Sequence, residues 1–219
     1  MAESKEFNLD ALQALQELTL GTNHVERWQG TPQLLPYNVS THAYNCAMLY
    51  LQLCYVCRKD INLQCLCSAL CHDNMESLTG DLLAPAKDSS PEAWDRIEAQ
   101  VQEKWRTNTN MEASMVNTFL PIENNLMSLP TESLHLLKII DMVEFLLHAQ
   151  QEYKAGNRCS KVMSGLKYGG VSLKRRINAA LNALGAYPEY DDILDIVTCI
   201  HDYYNRQCCA LSLADEYYV

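Results

Sequence analysis

The chain has no long uninterrupted hydrophobic run and no excess of positive charge. Although 48% of its 219 residues are hydrophobic, no stretch approaches the roughly 20 apolar residues that span a bilayer. The N-terminal segment also lacks a basic leader followed by an apolar run. The formal net charge of -10 excludes a general electrostatic grip on nucleic acid polymers or anionic membranes, since both require broad basic surfaces. We therefore expect a cytoplasmic protein without membrane or nucleic-acid-polymer partners.

Strict alternation of polar and apolar residues, internal repeats, low-complexity tracts and obvious interdomain linkers are absent as well. Apolar residues instead recur every three or four positions, which indicates amphipathic helices. The sequence therefore predicts an all-α fold. A chain of 219 residues can form one large domain or two small ones, and we expect a single helical domain over residues 1–219.

Cysteine, in contrast, is plentiful, and the ten cysteines raise the alternatives of a disulfide framework or a zinc site. Cys54-x-x-Cys57 has the spacing of half a zinc site, but Cys65 and Cys67 do not repeat that spacing. Half of the cysteines lie in segments that otherwise read as apolar helix, where a thiol behaves as a small hydrophobic group: Cys46, Cys54, Cys57, Cys65 and Cys71. We therefore expect reduced, mostly structural thiols in an intracellular protein.

Apolar periodicity, prolines and glycines give the expected elements. The predicted helices are Leu9–Leu18, one capped by Ser40 or Thr41 that continues to Cys54, Ile61–Glu76, one from Pro91 through Trp105, Pro130–Tyr153, Ser172–Leu184, and a last helix after Pro188. Irregular segments are predicted at 26–39 and 79–87, and residues 107–128 contain uncertain helical pieces around 114–119. Breaks are predicted at Gly156-Asn157 and at Gly169-Gly170.

Two polar groups stand on predicted apolar helix faces. Asp141 shares a face with Leu134, Leu137, Phe145 and His148, and His72, followed directly by Asp73, ends a nearly all-apolar helix. A carboxylate among apolar neighbours has to be paired, protonated or bound to a metal ion.

With His42 in the first turn of its helix, these residues form a set of two imidazoles and two carboxylates. Such a mixed set suits zinc, manganese, iron or cobalt, whereas magnesium prefers more oxygen ligands. The alternative is ordinary, because a lone histidine is usually a surface or satisfied core residue. A His-Asp dipeptide also arises by chance, and the chain has a second one, His201-Asp202.

The residues around these groups distinguish the first dipeptide from the second. The informative segments are Arg27-Trp28, Asn38-Val39-Ser40-Thr41-His42, His72-Asp73-x-x-Glu76-x-x-Thr79-Gly80-Asp81-x-x-x-Pro85-x-Lys87, and Lys138-x-x-Asp141. In this order and spacing, the chain resembles the YfbR-type 5′-deoxynucleotidases of the HD superfamily and the related phage dATP triphosphohydrolases. The resemblance covers about residues 10–155, so that residues 156–219 are expected to pack on this HD core. Thr41 departs from the pattern, since the nucleotidases usually have Glu there.

The resemblance implies a role for each of these residues. His42, His72, Asp73 and Asp141 would bind a divalent ion (Co, Mn, Zn or Mg), and Glu76 would act on the attacking water as general base or orienting group. Asp81 would lie beside the sugar and the leaving 5′-oxygen. Arg27, Lys87 and Lys138 would contact phosphate, and Trp28 would cover the base or sugar. The alternatives are a helix-end Glu76, an ordinary turn at Asp81 and a Trp28 that only covers the core.

The resulting expectation is hydrolysis of a deoxynucleoside triphosphate, dATP first, to deoxynucleoside and triphosphate. The alternatives are 5′-nucleotidase action on deoxynucleoside monophosphates and a regulatory protein with a degenerate site. The resemblance also implies a homo-oligomer, in the host cytoplasm if the protein is viral. The basic cluster Lys174, Arg175 and Arg176 is predicted to lie at a helix start, where cations are mildly unfavourable, and it could bind an anion at a subunit contact.

Overall fold

The computed structural model describes residues 9–81, 87, 89–122, 126, 129–186, 191 and 193–203. The helices are α1 (Leu9–Gly21), α2 (Val39–Cys57), α3 (Leu63–Cys71), α4 (Glu76–Thr79), α5 (Pro91–Thr109), α6 (Ala113–Phe119), α7 (Thr131–Lys154) and α8 (Ser160–Leu184), with a 3-10 turn at Thr22–His24. Residues 193–203 are also helical, and the start predicted after Pro188 falls partly outside the described residues. One isolated bridge, Glu26–Asn38, is the extended pairing among these residues. The all-α prediction is confirmed.

The chain divides into two compact units. The first contains residues 1–45 and 67–129, and the second contains residues 46–66 and 130–219. Two of the boundaries fall inside helices, because α2 and α3 each contain one. That residues 1–219 form a single HD domain stays a prediction.

The core of the first unit is built where α1 meets α5 and α6. One buried cluster contains Ala11, Met111 and Val116, and a second contains Leu18, Met75 and Leu120. Side-chain amides bind the carbonyls at the end of α6: Asn74 Nδ2 donates to Phe119 O (2.8 Å) and Gln102 Nε2 to Leu120 O (2.7 Å). These bonds satisfy helix-end carbonyls that have no partner within the helix, and Asn74 thereby anchors the turn that follows His72-Asp73.

The first turn of α2 is capped by Asn38. Its Oδ1 accepts hydrogen bonds from the Thr41 backbone N–H and from the Ser40 hydroxyl, both at 2.8 Å. The prediction that Ser40 or Thr41 is the cap was therefore wrong, because both lie inside the helix and Asn38, a residue type equally suited to the task, precedes it.

The predicted helix Ile61–Glu76 is interrupted. α3 ends at Cys71 and the short α4 begins at Glu76. The His72 N–H still bonds Ser68 O (2.9 Å), but the following N–H groups of Asn74 and Glu76 bond oxygens three residues back, at 3.0 Å each. This tightening from four-residue to three-residue spacing ends the helix, so His72-Asp73 lies in the turn between α3 and α4 rather than within a helix.

The second unit contains α7 and α8, which pack against each other. The predicted break at Gly169-Gly170 was wrong, since α8 runs through both glycines. A Cβ built on Gly169 would lie 2.7 Å from Leu146 Cδ2 and 3.0 Å from Phe145 Cε1. The glycine therefore permits close approach of α8 to α7 instead of ending a helix.

Because α8 is continuous, Lys174, Arg175 and Arg176 lie in its middle and not at a helix start. The prediction of their position was wrong for the same reason as the break. The end of α7 agrees with prediction, because Gly156 adopts a φ of +100° and Asn157 N–H bonds Glu152 O (2.9 Å). A left-handed glycine after the last turn is a common helix ending.

The described cysteines, including Cys54, Cys57, Cys65 and Cys71, are free thiols. Burial raises the pKa of Cys65 to about 12 and that of Cys71 to about 11. None of the helices in the described part of the chain is both long and apolar enough to cross a membrane.

Candidate active site

His42 lies in the first turn of α2 and is fully buried, with 0% exposure. Its backbone N–H bonds Asn38 O (3.0 Å), so the capped turn fixes its position. Its Nδ1 lies 3.1 Å from the Tyr37 hydroxyl. Its Nε2 lies 3.2 Å from Nε2 of His72, which brings the first two predicted ligands together.

His72 and Asp73 approach His42 from the turn after α3. Asp73 Oδ2 lies 3.5 Å from His42 Nε2 and 3.6 Å from His72 Nε2. With the 3.2 Å between the two imidazole nitrogens, these atoms form a nearly equilateral triangle. A point about 2.0 Å from all three atoms lies at its centre, which matches the usual metal–nitrogen and metal–oxygen distances. The donor set therefore fits a divalent cation such as zinc.

A thiol is also available near the imidazoles. Cys46 follows His42 by one turn in the same helix, and His42, Cys46 and His72 each offer a ligand atom within 4.8 Å of the others. Sequence reasoning treated Cys46 as core only. The Asp73 oxygen lies 3.5 and 3.6 Å from the two imidazole nitrogens, so the histidine pair has both a carboxylate and a thiol beside it.

Arg27 and Trp28 reach the same place from the segment between Val25 and Val39. Arg27 Nη1 donates to Asp73 Oδ2 and lies 3.7 Å from Glu76 Oε2. Trp28 adopts a φ of 59°, a left-handed conformation that is strained for a bulky residue. The Trp28 backbone N–H donates to Asp81 Oδ2 (3.1 Å), so Asp81 helps hold this conformation.

Glu76, the first residue of α4, is buried beside two cations. Lys87 Nζ lies 3.2 Å from its Oε1 and 5.1 Å from the centre of the Trp94 ring. Burial, and after it the nearby Asp73 and Asp81 carboxylates, raise the pKa of Glu76 to about 8 against the opposing effect of Arg27 and Lys87. A carboxylate whose pKa lies near neutrality is suited to proton transfer.

Asp73 is affected in the opposite direction. Burial alone would raise its pKa, but the positive charges of His72, Arg27, His42 and Lys87 outweigh burial and hold the pKa well below its usual range. Asp73 is therefore an anion at all working pH values, as a metal ligand must be. The two carboxyls of one turn thus differ in protonation because their neighbours differ.

Lys138 and Asp141 belong to α7, in the second unit. Both side chains are half-buried, and they are one turn apart on the same helix. Asp141 as the fourth ligand and Lys138 as a phosphate contact stay predictions.

The second dipeptide, His201-Asp202, lies near the end of the described chain. Its side chains are 39% and 59% exposed, and His201 Nδ1 is 3.6 Å from Asp202 Oδ1. The two groups thus face each other at the surface.

Sequence reasoning missed Tyr37, which contacts His42, Arg27 and Trp28. The signal available was an aromatic residue five positions before His42, in a segment otherwise interpreted as an irregular loop. A loop tyrosine is usually a packing residue, and nothing in its spacing identifies the hydrogen bond to a histidine of the next helix.

An all-helical fold with a histidine pair and an aspartate meeting at a helix end is that of the HD-domain phosphohydrolases. The cyanophage S-2L HD phosphohydrolase DatZ, solved with dA and one catalytic Zn2+ ion, is similar, with a TM-score of 0.60 and 16% identity over 86% of this chain and 95% of that chain. An HD-domain phosphohydrolase from Listeria innocua has a TM-score of 0.59 and 15% identity over 90% and 98%. A Pyrococcus horikoshii protein has a TM-score of 0.55 and 15% identity over 86% and 97%.

The profile of the YfbR-like 5′-deoxynucleotidases matches residues 14–165, most of the chain, and the chain belongs to this family. The matched region contains all ten predicted site residues. It makes the protein a hydrolase of deoxynucleotides and agrees with the resemblance that the motifs indicated. No curated protein matches the sequence.

Proposed function

We propose that the protein hydrolyses dATP to deoxyadenosine and triphosphate, by attack of water on the α-phosphorus and departure of the 5′-oxygen. The observation that carries this proposal is the triangle of His42 Nε2, His72 Nε2 and Asp73 Oδ2, with sides of 3.2, 3.5 and 3.6 Å, next to the buried carboxyl of Glu76. It combines a cation site with a proton acceptor, which phosphate ester hydrolysis requires.

A divalent ion in this site would supply a Lewis acid for the phosphate and would acidify a water molecule. The proposed ligands are His42, His72 and Asp73, with Asp141 as the fourth, and the candidate ions are zinc, manganese, cobalt and magnesium. His72 is prepared for this role because its Nδ1 lies 3.1 Å from Ala69 O. A carbonyl only accepts, so Nδ1 carries the proton and Nε2 keeps the lone pair.

Glu76 is proposed to take the proton of the attacking water. Its raised pKa, about 8, makes it a stronger base than an exposed glutamate. Lys87 and Arg27 beside it stabilise the negative charge whenever the carboxyl is ionised. On substrate binding, phosphate oxygens would replace part of these contacts, since guanidinium groups bind phosphate in a forked geometry.

Asp81 is proposed to lie beside the sugar and the leaving 5′-oxygen, and Trp28 to cover the sugar or base. The hydrogen bond from the Trp28 N–H to Asp81 couples these two residues, so they would enclose the nucleoside together. The dA in the phage enzyme supports adenine as the base. We also propose a cytoplasmic homo-oligomer, in a phage-infected host if the source is viral.

The proposed number of phosphate groups in the substrate is argued from the charges that the site must balance. A monophosphate carries about two negative charges at neutral pH, which a divalent ion and Arg27 nearly match. A triphosphate carries roughly four, so a protein of net charge -10 must supply further local cations. Lys87, beside Glu76, and Lys138 on α7 are the candidates. The family name favours the second candidate function, 5′-nucleotidase action on monophosphates.

Chromatography of the products from each dNTP, dNDP and dNMP, with manganese, cobalt, zinc and magnesium in turn, tests both functions. We expect deoxyadenosine and intact triphosphate from dATP as the fastest reaction. Lys138→Ala should slow the reaction increasingly from mono- to di- to triphosphate, whereas Lys154→Ala at the exposed end of the same helix should not. Fastest release of inorganic phosphate from dAMP, with Lys138→Ala leaving that rate unchanged, would replace the first function by the second.

A further inference from the structure

The geometry points to Tyr37 as the residue that positions the metal ligand His42 and the phosphate-binding Arg27. Nothing in the family pattern used above assigns this residue a role. The inference rests on the proposed function, because it concerns the same site. It adds that the hydroxyl and the ring of Tyr37 act on two different parts of the site.

The hydroxyl acts on His42. It lies 3.1 Å from His42 Nδ1, on the side of the imidazole opposite to the Nε2 that faces His72 and Asp73. A histidine that binds a metal through one nitrogen is oriented through a hydrogen bond at the other, and this bond also selects the tautomer. With the Nδ1 proton donated to the Tyr37 oxygen, the lone pair of His42 lies on Nε2, where the ligand triangle needs it.

The Nδ1 atoms of the two histidines have hydrogen-bond partners of different kinds. His72 Nδ1 faces the Ala69 carbonyl, which can only accept, so its tautomer is fixed. His42 Nδ1 faces a hydroxyl, which can accept or donate. Tyr37 can therefore keep its hydrogen bond in either tautomer of His42, and only the accepting arrangement leaves Nε2 ready for a cation.

The ring of Tyr37 acts on Arg27. The guanidinium carbon of Arg27 lies 5.7 Å from the centre of the ring, within the range of cation–π attraction. The Arg27 backbone N–H also donates to Tyr37 O (3.0 Å). The Trp28 ring meets the Tyr37 ring edge to face at 6.2 Å. A single side chain that is 4% exposed thus supports a ligand, a phosphate contact and the surface proposed for the nucleoside.

These contacts separate the positioning role from simple packing. Phe at position 37 would keep the ring contacts and lose the bond to His42, whereas Leu would lose both. Tyr50 offers a matched control, because it is a buried tyrosine of α2 whose oxygen accepts from Asn62 N–H (2.7 Å) and lies 3.3 Å from Asn62 O. Tyr50→Phe therefore removes a buried hydroxyl that contacts no proposed ligand.

The test is calorimetric titration of manganese and zinc into the metal-free full-length wild type, Tyr37→Phe, Tyr37→Leu and Tyr50→Phe. Thermal unfolding without metal and the visible spectrum with cobalt are recorded for each protein. We expect Tyr37→Phe to weaken the metal Kd by about 10- to 100-fold, the usual effect of losing the partner of a ligating histidine, and to change the cobalt spectrum. Tyr50→Phe should leave both unchanged. Tyr37→Leu should in addition raise the KM for dATP, through Arg27, beyond the value for Tyr37→Phe.

Three results would overturn the inference. The first is a Tyr37→Phe protein that binds metal as tightly as the wild type with the same cobalt spectrum, whatever its unfolding temperature, because Tyr37 would then be a core residue. The second is an equal loss of metal affinity in Tyr50→Phe. A wild type that binds no metal would overturn the proposed function as well. If metal affinity depends on the Tyr37 hydroxyl as expected but the wild type hydrolyses no deoxynucleotide, the proposed function alone would be overturned.

Discussion

Two His-Asp dipeptides of this chain have the same chemistry and different surroundings. At His72-Asp73 the side chains are 8% and 19% exposed, and a second histidine and an arginine meet the aspartate. At His201-Asp202 the exposures are 39% and 59%, and the surrounding helix lies near the end of the described chain. Water solvates the second pair, whereas protein groups determine the charge of the first. The comparison teaches that the dipeptide matters only where the fold supplies further ligands and limits water.

The largest difference in activity is expected between single substitutions in the first pair and the corresponding substitutions in the second. Asp73→Asn and His72→Ala should abolish turnover and lower the bound metal, because each removes a proposed metal ligand. His201→Ala and Asp202→Asn should leave activity near that of the wild type. Activity assays together with metal analysis of the purified proteins measure both quantities.

An essential second pair and a dispensable first pair would reverse the comparison and show that the site assignment is wrong. Loss of activity in Asp73→Asn with full metal content would instead assign Asp73 to the reaction and not to metal binding.

Glu76→Ala should retain metal and substrate and lose about 10² to 10⁴ in rate, the usual scale for a positioned general base. The comparison is with Glu103→Ala, which removes an exposed glutamate that pairs with Arg106 on α5 and should leave the rate unchanged. Steady-state kinetics and metal analysis are the measurements. Equal loss of metal in Glu76→Ala would make Glu76 a ligand or a structural residue.

Trp28→Ala should weaken nucleotide binding by about 1 to 3 kcal/mol if the indole stacks on the base. This loss corresponds to a KM that is roughly 5- to 150-fold higher. Only 8% of Trp28 is exposed, so packing is the competing explanation. Kinetics and thermal unfolding of the same variant distinguish the two. An unchanged KM with a lower unfolding temperature would favour the packing role.

The last prediction concerns the stability of the protein and its dependence on pH, and not its activity. Glu76 has a pKa near 8 in the folded protein and about 4.3 when unfolded. The unfolded chain therefore releases this proton first, and the stability that the protonated form contributes is lost as the pH rises from about 4.3 through 8. With metal chelated, Glu76→Gln should become progressively more stable than the wild type over this window. Chemical denaturation at pH 5, 7 and 9 measures the difference, and a constant difference would contradict the raised pKa.

Sequence periodicity predicted the helices well where one face is continuously apolar, as in α1, α2, α5 and α7. It failed where contacts with another helix determine whether a helix continues or ends. The glycines of α8 are kept in a helix because Leu146 and Phe145 occupy the space of a side chain. The predicted helix Ile61–Glu76 is interrupted after Cys71, where the following turn is held by a hydrogen bond from Asn74 to the Phe119 carbonyl at the end of α6.

In the site, too, some features were predicted from the sequence and others depend on tertiary contacts. The order and spacing of the family motif predicted that His42, His72 and Asp73 lie in one site, because proteins that share the motif share the fold that brings these residues together. The contacts of Arg27 with Asp73 and of Lys87 with Glu76 join residues 46 and 11 positions apart, and no local pattern predicts such pairs. Tyr37 was missed because the feature that distinguishes it, a hydroxyl facing Nδ1 of His42, exists only in three dimensions.

The two imidazoles enter the site from opposite poles of their helices. His42 belongs to the first turn of α2, the end of a helix dipole that carries partial positive charge, and His72 follows the last residue of α3, the end that carries partial negative charge. The end of α3 therefore favours a cation and the start of α2 favours an anion. For a metal ion and a phosphate bound side by side, these dipoles would add to the charges of Asp73, Arg27 and Lys87.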